Sequence, residues 1–372
     1  MGLFPKGFAF LDTNYIVMLP KRVFPDSLRL QLQKRSYKRW IWAVLVVAIL
    51  LAAGGGYATW QAVNLPPPHR TAQDIKVVIP QGVSTHAIAS MLQKAGVIRS
   101  ALAFRVVARL RRADGELKPG EYAFTSADTL TVVLNKIVSG QVVTYAVTIP
   151  EGYTVAQIEA ELSATGLFDP QALHAALHAQ DYNFSFLPAP DPRRPEPLEG
   201  YLFPDTYFLV RGMQPQAVVE MMLKEFSIQL TPADLARAAE LHMSINQVVT
   251  LASIIEKEAK VDSERALISS VYHNRLDIGM KLDSDPTVQY ALGDPARPLY
   301  RADLAVDSPY NTYKYAGLPP GPICNPGRAS ITAALWPAKT QYLYFVAKND
   351  GTHAFATTYA EQLANERKYR GH

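Results

Sequence analysis

The sequence predicts an α+β protein made of an N-terminal transmembrane helix, a small α+β module and a larger α+β domain, and three observations carry that prediction. A long uncharged run stands near the N-terminus. A strand, turn and helix phrase occurs twice, 70 residues apart. The chain beyond the second copy alternates amphipathic helical patterns with proline-stiffened polar loops. At 372 residues, 48% hydrophobic and 19% charged, the chain has the apolar content for two or three domains.

Residues 40–68 contain no Lys, Arg, Asp or Glu, and Trp40 to Ala53 is almost continuously apolar. A helix over residues 40–62 is long enough to cross a bilayer. The run exceeds the core of a signal peptide, and no small-x-small cleavage site precedes Tyr57 and Trp60, so an anchor is preferred to a cleaved leader. Ahead of it, residues 1–39 carry Lys6, Lys21, Arg22, Arg29, Lys34, Arg35, Lys38 and Arg39 against Asp12 and Asp26. Such a basic segment stays cytoplasmic, which puts the rest of the chain outside. That remainder has 29 basic and 31 acidic residues, a formal −2, so the overall +4 is a topology signal and no nucleic-acid partner is expected. The single Cys324 allows no intramolecular disulfide or Cys-rich metal site and reads as a small buried hydrophobe. Met1 and Met18 are both candidate starts.

Residues 63–75, with Leu65-Pro-Pro-Pro-His69, read as a stiff extended linker. Val77-Val-Ile-Pro80-Gln-Gly82 then leads into Ile88, Met91 and Leu92, closing on Gly96. The second copy, Val147-Thr-Ile-Pro150-Glu-Gly152, leads into Ile158 and Leu162 and closes on Gly166. Each predicts a short strand, a turn and an amphipathic helix stopped by glycine. Between them, Leu117-Lys-Pro-Gly120 enters a strand through Phe124, and Leu130, Leu134 and Ile137 fit a helix ended at Gly140. Residues 76–142 thus form one module, and their pattern resembles the LysM-like domains that bind glycan; a plain spacer is the competing reading. Residues 143–372 form the larger domain.

Residues 181–198 hold too much proline for regular structure. They deliver the chain to Leu198-Glu-Gly-Tyr-Leu-Phe-Pro-Asp-Thr-Tyr207, whose aromatics and carboxylates suit a groove wall that stacks sugars, with Glu199 and Tyr201 as candidate contacts. A surface hairpin with a buried aromatic core is equally compatible.

Ser244-Ile-Asn-Gln247 has the spacing of a capping box and predicts a helix start. On that helix Val248, Leu251, Ile254, Ile255, Glu258 and Val261 share one face, while Ser253, Glu256, Lys257 and Lys260 fall on the other. Glu256 is explained by Lys260 at i+4. Glu258 is an acid in an apolar stripe, where desolvation raises its pKa above about 4.3 and suits it to general acid work near neutral pH. The bland alternative is a buried ion pair with Arg275. Downstream, Asn274-Arg-Leu276, Asp283 to Tyr290, Ser308 to Tyr313 and Gly317 to Gly327 supply polar and aromatic side chains on stiff loops, as a carbohydrate cleft needs; Asp285 and Gln289 are candidate contacts there. Leu343 to Phe355 reads as a hairpin in which His353 is structural.

In this order, Leu198 to Tyr207, Ala252-Ser-Ile-Ile-Glu-Lys-Glu258, Ser263-Glu-Arg265, Asn274-Arg-Leu276, Ser284-Asp-Pro-Thr-Val288, Tyr310-Asn-Thr-Tyr313, Gly317-Leu-Pro-Pro-Gly321 and Tyr342-Leu-Tyr-Phe-Val346 resemble the endolytic murein transglycosylase family, also called MltG or YceG-like. The resemblance spans about residues 75–360. It implies an inner-membrane enzyme that acts outside the cytoplasm on peptidoglycan glycan strands, cleaving the β-1,4 bond between N-acetylmuramic acid and N-acetylglucosamine to leave a 1,6-anhydro end. It places the essential glutamate at Glu258 and offers Tyr310, Asn311 and Tyr313 for holding the sugar. It requires no metal or organic cofactor and implies contact with membrane peptidoglycan synthases. The basic extension before the anchor departs from the family's shorter members. A hydrolytic muramidase would need a second carboxylate from Glu199, Asp205 or Asp285. A glycan-binding scaffold without catalysis would keep Glu258 as an ion pair.

Overall fold

The structure is a computed structural model that describes residues 26–67, 74–125, 127–294 and 297–370. Most of the basic segment, the candidate start sites and the middle of the linker lie outside the described residues. Helix α1 (Asp26–Asn64) contains the apolar stretch, and Lys38–Asn64 is long and apolar enough to cross a membrane, with its apolar window fully exposed.

The first core is built from β1 (Ile75–Ile79), α2 (Thr85–Lys94), α3 (Ala101–Leu110), β2 (Gly120–Phe124) and α4 (Leu130–Ser139). The strands pair antiparallel, with Ile75 opposite Phe124 and Ile79 opposite Gly120. Alternation turns Val77 and Ile79 inward, onto Leu92, Phe104, Tyr122 and Leu134. The end of α1 docks here: Ala62 packs on this core and Arg99 Nε donates to the Pro66 carbonyl at 2.7 Å.

The repeated phrase is a repeated structure. β3 (Thr144–Thr148) and α5 (Val155–Ala164) reproduce β1 and α2, and Gly82 and Gly152 both turn at φ +77°, a conformation glycine adopts without steric cost. Ser84 and Thr154 cap the two helices by accepting from the third backbone N–H onward. After α6 (Pro170–Leu177), β4 (Thr206–Val210) pairs antiparallel with β3.

The remaining elements are α7 (Pro215–Gln229), α8 (Pro232–Glu240), α9 (Ile245–Glu258), α10 (Arg265–Asp277), α11 (Asp285–Ala291), α12 (Arg328–Leu335), a hairpin of β5 (Tyr344–Lys348) and β6 (Thr352–Ala356), and α13 (Tyr359–Arg370). The capping box at Ser244 and Gln247 starts α9 as expected. Every residue from Val248 to Ile255 is buried, with α10 and α12 packed against the helix. Each large apolar side chain so buried contributes about 1.5–3 kcal/mol.

Three expectations for this helix are corrected. Ser253 is fully buried, because Ile323 and Cys324 cross over it: the Ile323 N–H donates to Ser253 Oγ at 3.0 Å. The helix stops at Glu258, so Lys260 has no i+4 geometry toward Glu256 and points to solvent, and Val261 lies past the helix end. Glu256 instead meets Arg265 Nη1 at 3.2 Å and accepts from the Gly327 N–H at 3.0 Å.

The Leu198–Tyr207 phrase is mostly interior and forms no hairpin, while Glu199 borders a cavity shared with Thr154, Glu196 and Tyr290. Leu198, Tyr201, Leu202 and Phe203 are buried in the second core, and Tyr207 is already in β4. Gly200 (φ +92°) is needed here, since a Cβ would collide with the Pro322 ring. The two cores meet at Glu121 on β2, which is buried and accepts from Tyr145 Oη at 2.8 Å and Arg211 Nε at 3.0 Å. Those donors outweigh its desolvation and hold its carboxyl below the usual range.

Candidate active site

Glu258 is the last residue of α9, so its side chain leaves the helix where the core opens, and it stays partly exposed. Two hydroxyls reach its carboxyl. Ser284 Oγ donates to Oε1 at 2.7 Å and Tyr272 Oη donates to the same oxygen at 3.1 Å. Among the described residues no hydrogen bond is made to Oε2. Burial pushes the Glu258 pKa up; the two hydroxyls and a charge on His353 oppose that rise, while Asp285 adds to it.

Each partner is fixed in turn. Tyr272 is buried on α10 with its ring edge-on to Phe345, 5.9 Å between centroids. Ser284 stands at the N-cap position of α11 without a side-chain capping bond, and the Asp285-Pro286 start suits the first turn of a helix. Its N–H donates to Thr312 Oγ1 at 3.0 Å, and Thr287 Oγ1 donates back to the Ser284 carbonyl at 2.7 Å. The loop before it is tied down by Arg275, whose guanidinium donates to the carbonyls of Leu343 (2.6 Å), Leu282 (2.8 Å) and Lys281 (3.1 Å). Arg275 is therefore not the partner of Glu258, which makes no ion pair among the described residues; the arginine is spent on backbone carbonyls and on Asp283, 3.5 Å away.

Of the other candidates, Asp285 and Tyr313 come together beside Glu258: Tyr313 Oη donates to Asp285 Oδ1 at 2.7 Å. Burial and the Asp285 charge raise the Tyr313 pKa, so the phenol stays protonated. None of Glu199, Tyr201, Gln289, Tyr310 and Asn311 hydrogen-bonds to Glu258. Tyr201 donates to Asn246 Oδ1 at 2.9 Å within the core. Asn311 is fully buried and clasps the carbonyls of Leu304 and Val306. Gln289 donates to the Arg297 carbonyl at 2.7 Å, and the Tyr310 ring packs on Tyr290 with centroids 4.9 Å apart. Glu199 is 2% exposed and accepts from the Val155 N–H and from Asn325 Nδ2 at 3.1 Å; burial pushes its pKa to about 8.

Tyr272 was the residue hidden from sequence reasoning. Its signal was a phenol on the stripe Ile268, Val271, Tyr272, Arg275, where each apolar residue is buried and each polar tip needs a partner. A groove of about 960 Å³ lies near Met243 and Gln247 at the start of α9, about 16 Å along the helix from Glu258.

The sequence pattern of the YceG-like family matches residues 77–368. A Bacillus subtilis protein named endolytic murein transglycosylase is 34% identical over 332 residues, covering 86% of this chain and 91% of that protein. A Streptococcus pneumoniae protein of the same name is 30% identical over 338 residues, covering 83% of this chain, which spans 61% of that longer protein. A crystal structure of a yceG-like protein from Listeria monocytogenes is 34% identical and superposes with a TM-score of 0.55, covering 79% of this chain and 99% of that one.

Proposed function

The chain belongs to the YceG-like family, and from that premise we propose that it is an endolytic murein transglycosylase with Glu258 as its acid and base. The observation that carries the reading is the uneven carboxyl: both hydroxyl donors occupy Oε1, leaving Oε2 for the substrate, on a group whose burial favours the protonated form. Protonated Oε2 gives its proton to the glycosidic oxygen as the bond to C1 breaks. The resulting carboxylate takes the proton of the muramoyl C6 hydroxyl as O6 closes on C1, so the acid is restored and no water is consumed. Ser284 and Tyr272 stabilise the carboxylate between those two transfers, and the Asp285–Tyr313 pair lines the side of the site.

The second carboxylate a muramidase needs is poorly provided. Glu199 is enclosed by Val155 and Asn325, and Asp205 turns back to the Thr206 N–H, leaving Asp285 as the one near Glu258. Incubating the full chain and Glu258→Gln in detergent with intact peptidoglycan tests the assignment. Anhydro ends from the wild type, with a loss of about 10²–10⁴-fold in a folded variant, are expected. Hydrated ends would make the protein a hydrolase, and no product from either would make it a binding scaffold.

The same reading assigns residues 76–142 as a LysM-like, glycan-binding module, supported by the strand, two helices and strand around one core, and residues 143–372 as the transglycosylase domain. Residues 40–62 anchor the chain in the inner membrane with the basic segment cytoplasmic, so cutting occurs on nascent strands beside the synthases and terminates their elongation. Crosslinking in cells tests that proximity; failure to recover any synthase counts against it.

A further inference from the structure

One cluster of metal-ligating side chains takes no part in the Glu258 site. His178 caps the C-terminus of α6, so His174 and His178 lie one turn apart on one face, their ring centroids 4.0 Å apart. From α5, Glu159 Oε1 lies 3.0 Å from His174 Nδ1. From the proline-rich loop, Glu196 Oε2 lies 3.0 Å from His178 Nε2. One ligand atom from each of Glu159, His174 and His178 lies within 4.8 Å of the others, the one such group among the described residues.

The hydrogen bonding exposes a mismatch. His178 Nδ1 lies 2.9 Å from the His174 carbonyl oxygen, which only accepts, so Nδ1 carries the hydrogen and Nε2 is the nitrogen left for a further partner. Glu196 Oε2 is buried and takes no hydrogen bond. Glu196 Oε2 and His178 Nε2 thus lie 3.0 Å apart with no hydrogen bond between them, a gap that a ring proton or a bound cation would fill. A proton on His178 would answer Glu196 alone, whereas one divalent ion answers Glu159, His174 and His178 together with Glu196 at its edge. A carbonyl on the far nitrogen is also the contact that orients metal-bound imidazoles.

We propose that Glu159, His174 and His178, with Glu196 set against His178, form a site for a divalent transition metal ion of the zinc class. Imidazoles joined by carboxylate suit zinc, while calcium and magnesium take all-oxygen sets. The ion ties α5 to the end of α6, and the Glu196–His178 contact brings the loop of residues 181–198 against it on the way to Leu198 and Glu199. Its role is structural, and the readout is binding and not glycan cleavage.

The test uses the full chain in detergent, stripped with chelator and titrated with Zn²⁺ in a calorimeter, and separately loaded with Co²⁺ for its visible spectrum. One ion per chain is expected, with the d–d bands of tetrahedral cobalt. His174→Ala and His178→Ala should each weaken binding by at least about 100-fold, Glu196→Gln by about 10-fold or more, and His86→Ala, exposed elsewhere, should change nothing. Circular dichroism in chelator establishes that the variants remain folded, and the wild-type cobalt spectrum stands without any variant. Absence of a stoichiometric ion, an octahedral cobalt spectrum, or equal binding by His178→Ala and wild type would each overturn the proposal.

Discussion

Glu199→Gln isolates the energetic consequence of burying a carboxyl in the second core. The folded protein holds the Glu199 proton up to about pH 8, against 4.5 in an unperturbed chain, because burial disfavours the charged form more than the Val155 N–H favours it. The folded state therefore binds more protons than the unfolded one between those values, so stability falls as pH rises from about 4.5 and the loss is complete near pH 8. At about 1.4 kcal/mol per tenfold, the rise corresponds to about 5 kcal/mol; relaxation around the ionised group lowers the expected loss to about 2–4 kcal/mol. Glutamine keeps the shape and the acceptor for Val155 and cannot ionise. Urea unfolding of both full-length proteins in one detergent, followed by circular dichroism at pH 5 and pH 8, reads the difference. At pH 5 they should agree within about 1 kcal/mol, and at pH 8 the variant should be more stable by about 2–4 kcal/mol. Raised groups common to both, such as Glu258, cancel. A difference that stays constant from pH 5 to 8 would refute the reasoning.

Ser284→Ala removes a donor to the ionised form of Glu258, so the alkaline limb of the pH–rate profile should move to higher pH while the rate falls; initial rates of anhydro-product release read both. Asn325→Ala should cost about 3–5 kcal/mol in urea unfolding, because fully buried Asn325 accepts from the Gly200 and Leu202 N–H groups and donates to Tyr153 and Glu199. Gly200→Ala should abolish folding or cost more than about 3 kcal/mol by the same measurement, since its φ of +92° and the Pro322 ring leave no space for a methyl group.

Local signals in the sequence were reliable wherever one residue type has one physical reason to be present. The capping box at Ser244, the paired glycines 82 and 152, and the stop at Gly140 each stand where a turn or cap requires them. The position of Glu258 at the end of the buried stripe of α9 was legible because an acid there needs an explanation. Its partners were not, because Tyr272 and Ser284 reach it from separate elements, and only the packing of α10 and α11 against α9 brings them within 3.1 Å. The Leu198–Tyr207 phrase misled for the opposite reason: aromatics and a carboxylate suit a sugar groove and a satisfied core equally, and Asn325, more than 120 positions onward, decides between them. Helical periodicity likewise could not foresee that residues 323–324 would cover Ser253.

The Glu121 joint between the two cores is held by charge and hydrogen bonds, with Arg211 still 41% exposed on its outer side. A joint of that kind weakens as ionic strength rises, because counterions compete for the arginine, whereas the apolar interiors on either side tighten under the same salts. The protein thus has one mechanical element that loosens with salt and two that do not. Salt sets how firmly the first core holds the second, and leaves the fold of each in place.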